Sequence, residues 1–392
     1  MSCAAWLFWL SLLFIVYTYA LYPILIGIAA RIRPRPVRRG PCAPPVSIVI
    51  AAHNEAANIE ARVENLLAQE YPADKIEIIV VSDGSTDGTP ERLEALARAH
   101  PRVRALCLPA NQGKASALNA GMEHARGELV VFTDARQRFA PDALARLAEN
   151  FADPAVGSAS GELVFGDPDS AIRNPQSTIQ VGLYWRYEIW LRGRESRAGS
   201  MLGATGAIYA IRRELYRPLP AGAILDDFLT PMRIVLAGRR AILDGRAICY
   251  DRPSSCADQE MRRKVRTLAG NFQAFAIEPG LLLPWRNPST WWQVNSHKLA
   301  RLLVPYALIA LLAGSFAAHG WLYRLAGVGQ MAFYGLAAAG WFIERAGRPL
   351  RREISFAYTF TTLNLAAVLG LAAWLRGHGT GTIWRKAYAE KR

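Results

Sequence analysis

The chain has 392 residues, room for about two ordinary domains, and carries 46 Lys and Arg against 32 Asp and Glu, a formal net charge of +14. The excess does not mark a nucleic-acid-binding protein. It is concentrated in runs that flank apolar stretches and in one run near Arg262, a distribution suited to anionic lipid headgroups and an anionic diphosphate ligand. The five cysteines, Cys3, Cys42, Cys107, Cys249 and Cys256, show no metal-ligand spacing, and a cytoplasmic domain keeps them reduced.

Residues 1–30 contain no charged side chain, and five arginines follow between Arg31 and Arg39. About twenty apolar residues suffice to cross a bilayer, and a following arginine cluster marks the cytoplasmic side. Residues 1–30 are therefore expected to form a spanning helix with its amino end outside, and residues 31–45 a basic, Pro-rich linker. A cleaved signal peptide is the competing reading. It lacks a basic leading region and a small-residue cleavage site before the arginines.

Four β-branched apolar runs come next: VSIVIAA (Val46 to Ala52), IEIIVVSD (Ile76 to Asp83), VRALCL (Val103 to Leu108) and ELVVFTD (Glu128 to Asp134). Between them lies helical spacing, at Ile59, Val63, Leu66 and Leu67 and again at Leu118, Met122 and Ala125. This alternation predicts an α/β nucleotide-binding domain whose parallel sheet is covered on both faces and binds ligands at the carboxyl ends of its strands. Those ends read His53-Asn54-Glu55, Asp83-Gly84-Ser85 and Asp134-Ala135-Arg136.

The segments AHNEAANI, VVSDGSTDGT, NQGKASALNAG, FTDA and the later LDDF resemble, in family order over residues 46–228, the family 2 glycosyltransferases. The resemblance implies a GT-A fold with a mixed, mainly parallel sheet, flanked here by transmembrane helices. It implies inverting transfer from a nucleotide-sugar donor, a UDP-sugar being expected, with Mg2+ or Mn2+ as cofactor. By that resemblance Glu55 holds the nucleobase and ribose, a helix-capping role being the alternative, and Asp83 contacts the nucleoside. Asp87 instead caps the helix that starts at Pro90. Lys114, just before a helix, meets the donor diphosphate; a surface lysine is the plainer reading. Asn119 is either part of the site or a helix–loop hydrogen bond.

Asp134 is expected to anchor the metal, which needs hard oxygen ligands and keeps positions for water and phosphate. The family usually writes Asp-x-Asp here, whereas this chain has Asp134-Ala135-Arg136. Either the metal survives on Asp134 with other ligands, or Arg136 itself neutralises part of the diphosphate charge; a solvated Arg136 is the third reading.

The acceptor half begins after Gly161. Thr178 to Ser196 places Trp185, Glu188, Ile189 and Arg192 at helical spacing, and GSMLGATGAIYAIRR resembles the family's acceptor loop. Trp185 and Gly203 to Gly206 are expected to line the acceptor path, with ordinary helix packing an equal alternative for Trp185. In Ile224-Leu225-Asp226-Asp227-Phe228, Asp227 is the expected base that takes the acceptor proton, and Asp226 orients it or caps the helix of Pro231. Where polymerising relatives carry Gln-x-x-Arg-Trp, this chain reads Gln259-Glu-Met-Arg-Arg-Lys-Val-Arg-Thr. Arg263 and Arg266 are taken as the polar pair for the leaving diphosphate, with Thr267 in place of tryptophan.

The transferase domain is thus expected over residues 46–270, in the cytoplasm, followed by an interfacial segment at 271–300. About three C-terminal spans follow within 301–376, near 302–318, 325–343 and 354–375, and then a basic tail at 377–392. The run Glu344 to Glu353 holds four arginines and should be cytoplasmic. Three spans then leave the basic tail outside, so either one span is re-entrant or the tail is an exception. The reading is a multi-pass enzyme of a bacterial-type inner membrane that extends a cell-envelope or extracellular polysaccharide, with a saccharide or lipid-linked acceptor and envelope-assembly partners. Transfer of one sugar to a polyprenyl-phosphate or other lipid is the alternative, and a catalytically degenerate membrane scaffold the alternative of another class.

Overall fold

The computed structural model describes residues 2–166, 170, 172, 183–252, 257–285 and 287–377. Residues 178–182 of the expected acceptor helix, Cys256 and the basic tail lie outside the described residues. The chain divides into two units. One takes Met1–Leu25, Cys256–Phe272 and Trp292–His378, and the other Ile26–Ser255 and Gln273–Trp291.

Four helices among the described residues are long and apolar enough to cross a membrane: Cys3–Ile32, Pro288–Ala317, Trp321–Arg345 and Arg352–Leu375. The second starts at Pro288 rather than near Leu302, because Trp, Gln, Asn, His and Lys side chains in residues 288–301 dilute the apolar signal without breaking the helix. Within the first unit, π-helical turns interrupt two of these helices, at Tyr17–Leu21 and Val294–Leu299. They are joined by polar contacts: Tyr17 Oη lies 2.6 Å from Ser296 Oγ, and Trp292 Nε1 donates to Tyr17 Oη at 2.9 Å. A Cβ at Gly314 would lie 2.9 Å from Phe8 N, so the two backbones touch there, as small residues permit between membrane helices. Trp6, Leu10, Leu13, Leu325, Phe342 and Phe356 point outward, as lipid-facing side chains do.

The second unit is built on an eight-stranded sheet in the order β3-β2-β1-β4-β7-β6-β8-β5. The strands are β1 (Val46–Ala52), β2 (Ile76–Asp83), β3 (Val103–Leu108), β4 (Leu129–Asp134), β5 (Arg138–Phe139), β6 (Val156–Phe165), β7 (Tyr209–Arg212) and β8 (Arg240–Asp251). The labelled helices are α1 (Ile59–Leu67), α2 (Thr89–Ala99), α3 (Lys114–His124), α4 (Ala143–Glu149), α5 (Leu183–Ala198) and α6 (Asp226–Leu236). Strands β3, β2, β1 and β4 run parallel, β7 is antiparallel to β4 and β6, and β6 pairs parallel with β8.

Covering by helices on both faces explains the unbroken apolar runs of the central strands. Ile48, Ile50, Ile78 and Val80 pack with Ile59, Val63 and Leu66 of α1 on one face. On the other face α3 approaches so closely that a Cβ on Gly121 would lie 2.5 Å from Val49 Cγ1. Each such buried aliphatic side chain stabilises the fold by roughly 1.5–3 kcal/mol. The chain order reverses at β1, which sits between β2 and β4. In an open α/β sheet that switch point opens a crevice beyond the strand carboxyl ends. Asp134 pairs there with Ala51, and Ser82 with Ala52.

Candidate active site

Past the end of β1, Asn54 adopts φ 57°, the left-handed region that Asn tolerates better than most residues. The turn is fixed from both sides: Asn54 N donates to Ser85 Oγ at 3.1 Å, and Thr86 N to Asn54 Oδ1 at 2.8 Å. Glu55 accepts from Asn58 Nδ2 at 2.7 Å, a bond between side chains, and the start of α1 makes no side-chain cap hydrogen bond. Burial raises its carboxyl pKa; Asn58 and the nearby Arg136 oppose that, while Asp134 and Asp87 add to it. Glu55 thus lies within electrostatic reach of Asp134 and Arg136 at the tip of β4.

Asp83 is 2% exposed, and its two oxygens accept from Gln112 N at 2.7 Å and Gly113 N at 2.8 Å. It clasps the loop that leads into α3. Gly84 beside it has φ +60°, and a Cβ there would lie 2.3 Å from Asn111 N, so the loop passes over a residue that must be glycine. Asp87 accepts from Ala56 N and Thr89 N at the start of α2, the capping role expected of it. Asn119 is engaged by Tyr216 Oη at 2.6 Å and Leu219 N at 2.9 Å, which makes it a helix–loop tie.

Lys114 is no surface lysine. Standing at the start of α3, its Nζ lies 3.0 Å from Asp134 Oδ1 and 3.1 Å from Asp226 Oδ1. Burial works against its charge, but Asp134, Asp226 and Asp227 outweigh that and hold the ammonium protonated. Asp226 opens α6 and is 4% exposed, and it also accepts from Tyr209 Oη at 3.2 Å. Asp226 is the first residue of the helix that contains Pro231, that helix start makes no side-chain cap hydrogen bond, and the Asp226 carboxylate is held instead by Lys114 and Tyr209.

Asp227 lies against the glycine loop. Ala204 N donates to its carbonyl at 2.6 Å, and a Cβ on Gly206 would lie 2.8 Å from its Oδ2. Gly203, at φ +79°, turns the chain beside Phe228. Burial first, then Asp226 and Asp134, push the Asp227 carboxyl up to about 6, against the pull of Lys114 and Arg192. A general base titrating just below neutral pH is well matched to taking a hydroxyl proton.

Arg136 is not simply solvated. Its Nη2 pairs with Asp251 Oδ2 at 2.6 Å, and Gln137 Nε2 donates to the same oxygen at 3.1 Å. Trp185 packs on Phe165 with ring centroids 5.6 Å apart. Arg263 and Arg266 lie on the helix Ala257–Ile277, in the part assigned to the membrane unit.

Sequence reasoning missed Asp251 and Tyr209, whose partners are distant in the chain, and Arg62. Arg62 is fully buried, donates to Thr133 Oγ1 at 2.6 Å, and through that hydroxyl reaches Ala207 O, also at 2.6 Å. Burial lowers its pKa to about 10. It ties the strand before Asp134 to the loop that faces Asp227.

Among the described residues no three His, Cys, Asp or Glu side chains cluster to hold a metal. Asp134 offers one candidate oxygen: its Oδ1 is held by Lys114, and the side chain is 39% exposed. Mg2+ and Mn2+ sites completed by substrate phosphates need only one or two protein carboxylates. Asp134 fits such a substrate-completed site.

A profile of Glycosyl transferase family 2 matches residues 47–219. The chain carries a family 2 glycosyltransferase domain. Its fold is GT-A: a mannosyltransferase of Pyrobaculum calidifontis, solved with GDP-Man and Mn2+, superposes with TM-score 0.68 at 27% identity, over 93% of this chain and 99% of that one. The succinoglycan biosynthesis protein ExoO of Rhizobium meliloti is 40% identical over 106 residues, 27% of this chain and 29% of that protein. The poly-β-1,6-N-acetyl-D-glucosamine synthase of Staphylococcus epidermidis is 24% identical over 272 residues, 68% of this chain and 61% of that protein. The chain therefore spans less than two thirds of the length of these curated relatives. The family 2 domain takes in the tips of β1, β2 and β4 and the glycine loop, while Asp226 and Asp227 lie just beyond the matched residues.

Proposed function

We propose that the protein is a membrane-bound, inverting glycosyltransferase that moves a sugar from a nucleotide-sugar, a UDP-sugar in the first instance, to a growing cell-envelope polysaccharide. The observation that carries this is the single cluster at the sheet end in which Lys114 bridges Asp134 and Asp226 while Asp227 faces the glycine loop.

In this reading the donor's nucleoside rests over β1 and β2, where Glu55 lines the crevice and Asp83 holds the loop in shape. Its diphosphate meets Lys114 and the guanidinium of Arg136, which Asp251 aims. The acceptor hydroxyl oxygen bonds to the anomeric carbon on the face away from the diphosphate. The carbon–oxygen bond to the diphosphate breaks, and the hydroxyl proton passes to Asp227. Asp226, held by Lys114 and Tyr209, positions its neighbour. A divalent ion held at Asp134 would supply positive charge to the departing diphosphate. The Asp83, Lys114, Asp134 and Asp227 set stands against a degenerate scaffold.

The four apolar helices support a membrane protein, and the arginine runs at 31–39 and 345–352 support a cytoplasmic catalytic domain in a bacterial inner membrane. Incubating membranes that contain the protein with labelled nucleotide-sugars tests the proposal. Incorporation of label with release of nucleoside diphosphate is expected, and its absence with every donor refutes the reading.

A further inference from the structure

The ladder between β4 and β7 ends at the pair Phe132–Tyr209, and past that pair the two chains part. One runs through Thr133 to Asp134, and the other comes from Gly206 through Ala207 and Ile208. The tips of this fork belong to the two halves of the proposed site, since Gly206 abuts the Asp227 carboxylate. Beyond the last ladder pair the crossing bond is made by a side chain: Thr133 Oγ1 donates to Ala207 O at 2.6 Å. A hydroxyl has one proton to give and can turn. Arg62 of α1 faces its oxygen, with Nη2 donating to Thr133 Oγ1 at 2.6 Å. A guanidinium carries donors and no acceptor, so it cannot draw the Thr133 proton away from Ala207.

The other end of Arg62 is anchored. Its Nη1 donates to Asn65 Oδ1 at 2.8 Å, Asn65 is bonded to both backbone groups of Phe139, and the guanidinium carbon lies 4.3 Å from the centre of the Phe139 ring. This arrangement is costly. Arg62 has no exposed surface, its Nε has no hydrogen-bond partner, and among the described residues no carboxylate pairs with it. A buried charge without a counter-charge is expensive, and a well-packed apolar side chain of similar volume often serves stability at least as well. Packing therefore does not account for an arginine at this place, whereas closing the fork does.

We infer that Arg62 is a positioning residue of the transferase: by keeping the Thr133 proton on Ala207 it fixes the span between Asp134 and the Asp227 base, while itself sealed from both substrates. The inference rests on the transferase reading above. Burial lowers the Arg62 pKa only to about 10, so the donor-only form persists at neutral pH.

The test measures transfer by the full chain in membranes from labelled UDP-glucose, UDP-N-acetylglucosamine and GDP-mannose, and titrates UDP and GDP onto the chain in lipid vesicles. Thr133→Val keeps the shape and removes the hydroxyl of the relay. A misplacement of about 1 Å can cost about 100-fold in rate, so this variant should lose at least about tenfold in kcat, with the nucleoside diphosphate Kd within about twofold of the parent. Arg62→Met should show the same split. The double variant should lose no more than the worse single one, within about twofold, because both substitutions cut one relay. Arg62→Lys restores a head with donors only and should bring kcat back to within about fivefold of the parent. A parental kcat in folded Thr133→Val overturns the inference whether or not Arg62→Met folds. So do losses that multiply in the double variant, and a kcat that lysine does not restore. If the parent chain labels no product from any donor, the transferase reading falls and this inference with it; if the parent labels product and Thr133→Val matches it, this inference alone falls.

Discussion

Removing the charge of Asp227 should stabilise the protein while destroying its activity. In the folded chain this carboxyl titrates at about 6 instead of 3.8. The folded state therefore binds a proton that the unfolded state has already released between those two values, and stability falls as pH rises from 3.8 to about 6. Above that window the full penalty is present. A separation of about two pKa units corresponds to about 3 kcal/mol. Asp227→Asn removes the buried charge and keeps the shape, so at pH 7.5 the variant should be more stable by up to about 3 kcal/mol, or about 6–12 °C in Tm for a domain of this size. The advantage should shrink as pH falls through about 6 and vanish below 3.8. Turnover of the same variant should fall by roughly 10²–10⁴-fold, the contribution of a positioned base, while affinity for nucleoside diphosphate is retained. Thermal unfolding in detergent across pH 4–8, with transfer kinetics and nucleotide titration, measures all three. A variant less stable than the parent at pH 7.5, or one that retains near-normal turnover, refutes both the electrostatics and the role.

Asp83→Ala should act in the opposite sense, raising the Kd for nucleoside diphosphate at least about tenfold through loss of the Gln112 and Gly113 clasp, with a smaller change in turnover; titration calorimetry separates the two. Asp134→Asn should abolish transfer in the presence of Mn2+ while the protein remains folded and inserted, and normal turnover would remove Asp134 from the site. Gly206→Ala should lower turnover without weakening nucleotide binding, because the new Cβ would displace the Asp227 carboxylate; wild-type kinetics would show that the loop yields freely. Cysteines introduced within 31–39 or 345–352 should resist an impermeant label applied to intact cells, and labelling of either cluster would invert the proposed orientation.

The strand tips were legible because a sheet buried on both faces writes its strands as apolar runs and leaves polar residues only where the chain exits. Val46–Ala52, Ile76–Asp83 and Val103–Leu108 could be read off to the residue. What the local pattern could not carry was partnership across distance. Nothing around Lys114 announces that Asp226 will share its ammonium, and nothing after Asp134 announces that Arg136 is matched by Asp251 at the end of β8. Arg62 was hidden for a different reason: on an amphipathic helix an arginine reads as a solvent residue, and only its hydrogen bonds inside the fold show otherwise. The amino end of the second spanning helix was obscured by its own polar side chains, since hydropathy reports composition rather than backbone continuity.

The paired π-helical turns at Tyr17–Leu21 and Val294–Leu299 bear on how this membrane unit tolerates change in chain length. Such a turn accommodates one residue more than a regular α-helix would hold. Deleting that extra residue would return the helix to uniform geometry with the side chains beyond it kept near their present directions, whereas a deletion in a regular turn would swing them by about 100° around the axis. The cost of such a deletion would be local, falling on the Tyr17–Ser296 bridge and the Trp292 hydrogen bond to Tyr17. Variants of this unit should accordingly tolerate loss of one residue inside a wide turn better than loss of one from the regular helix on either side.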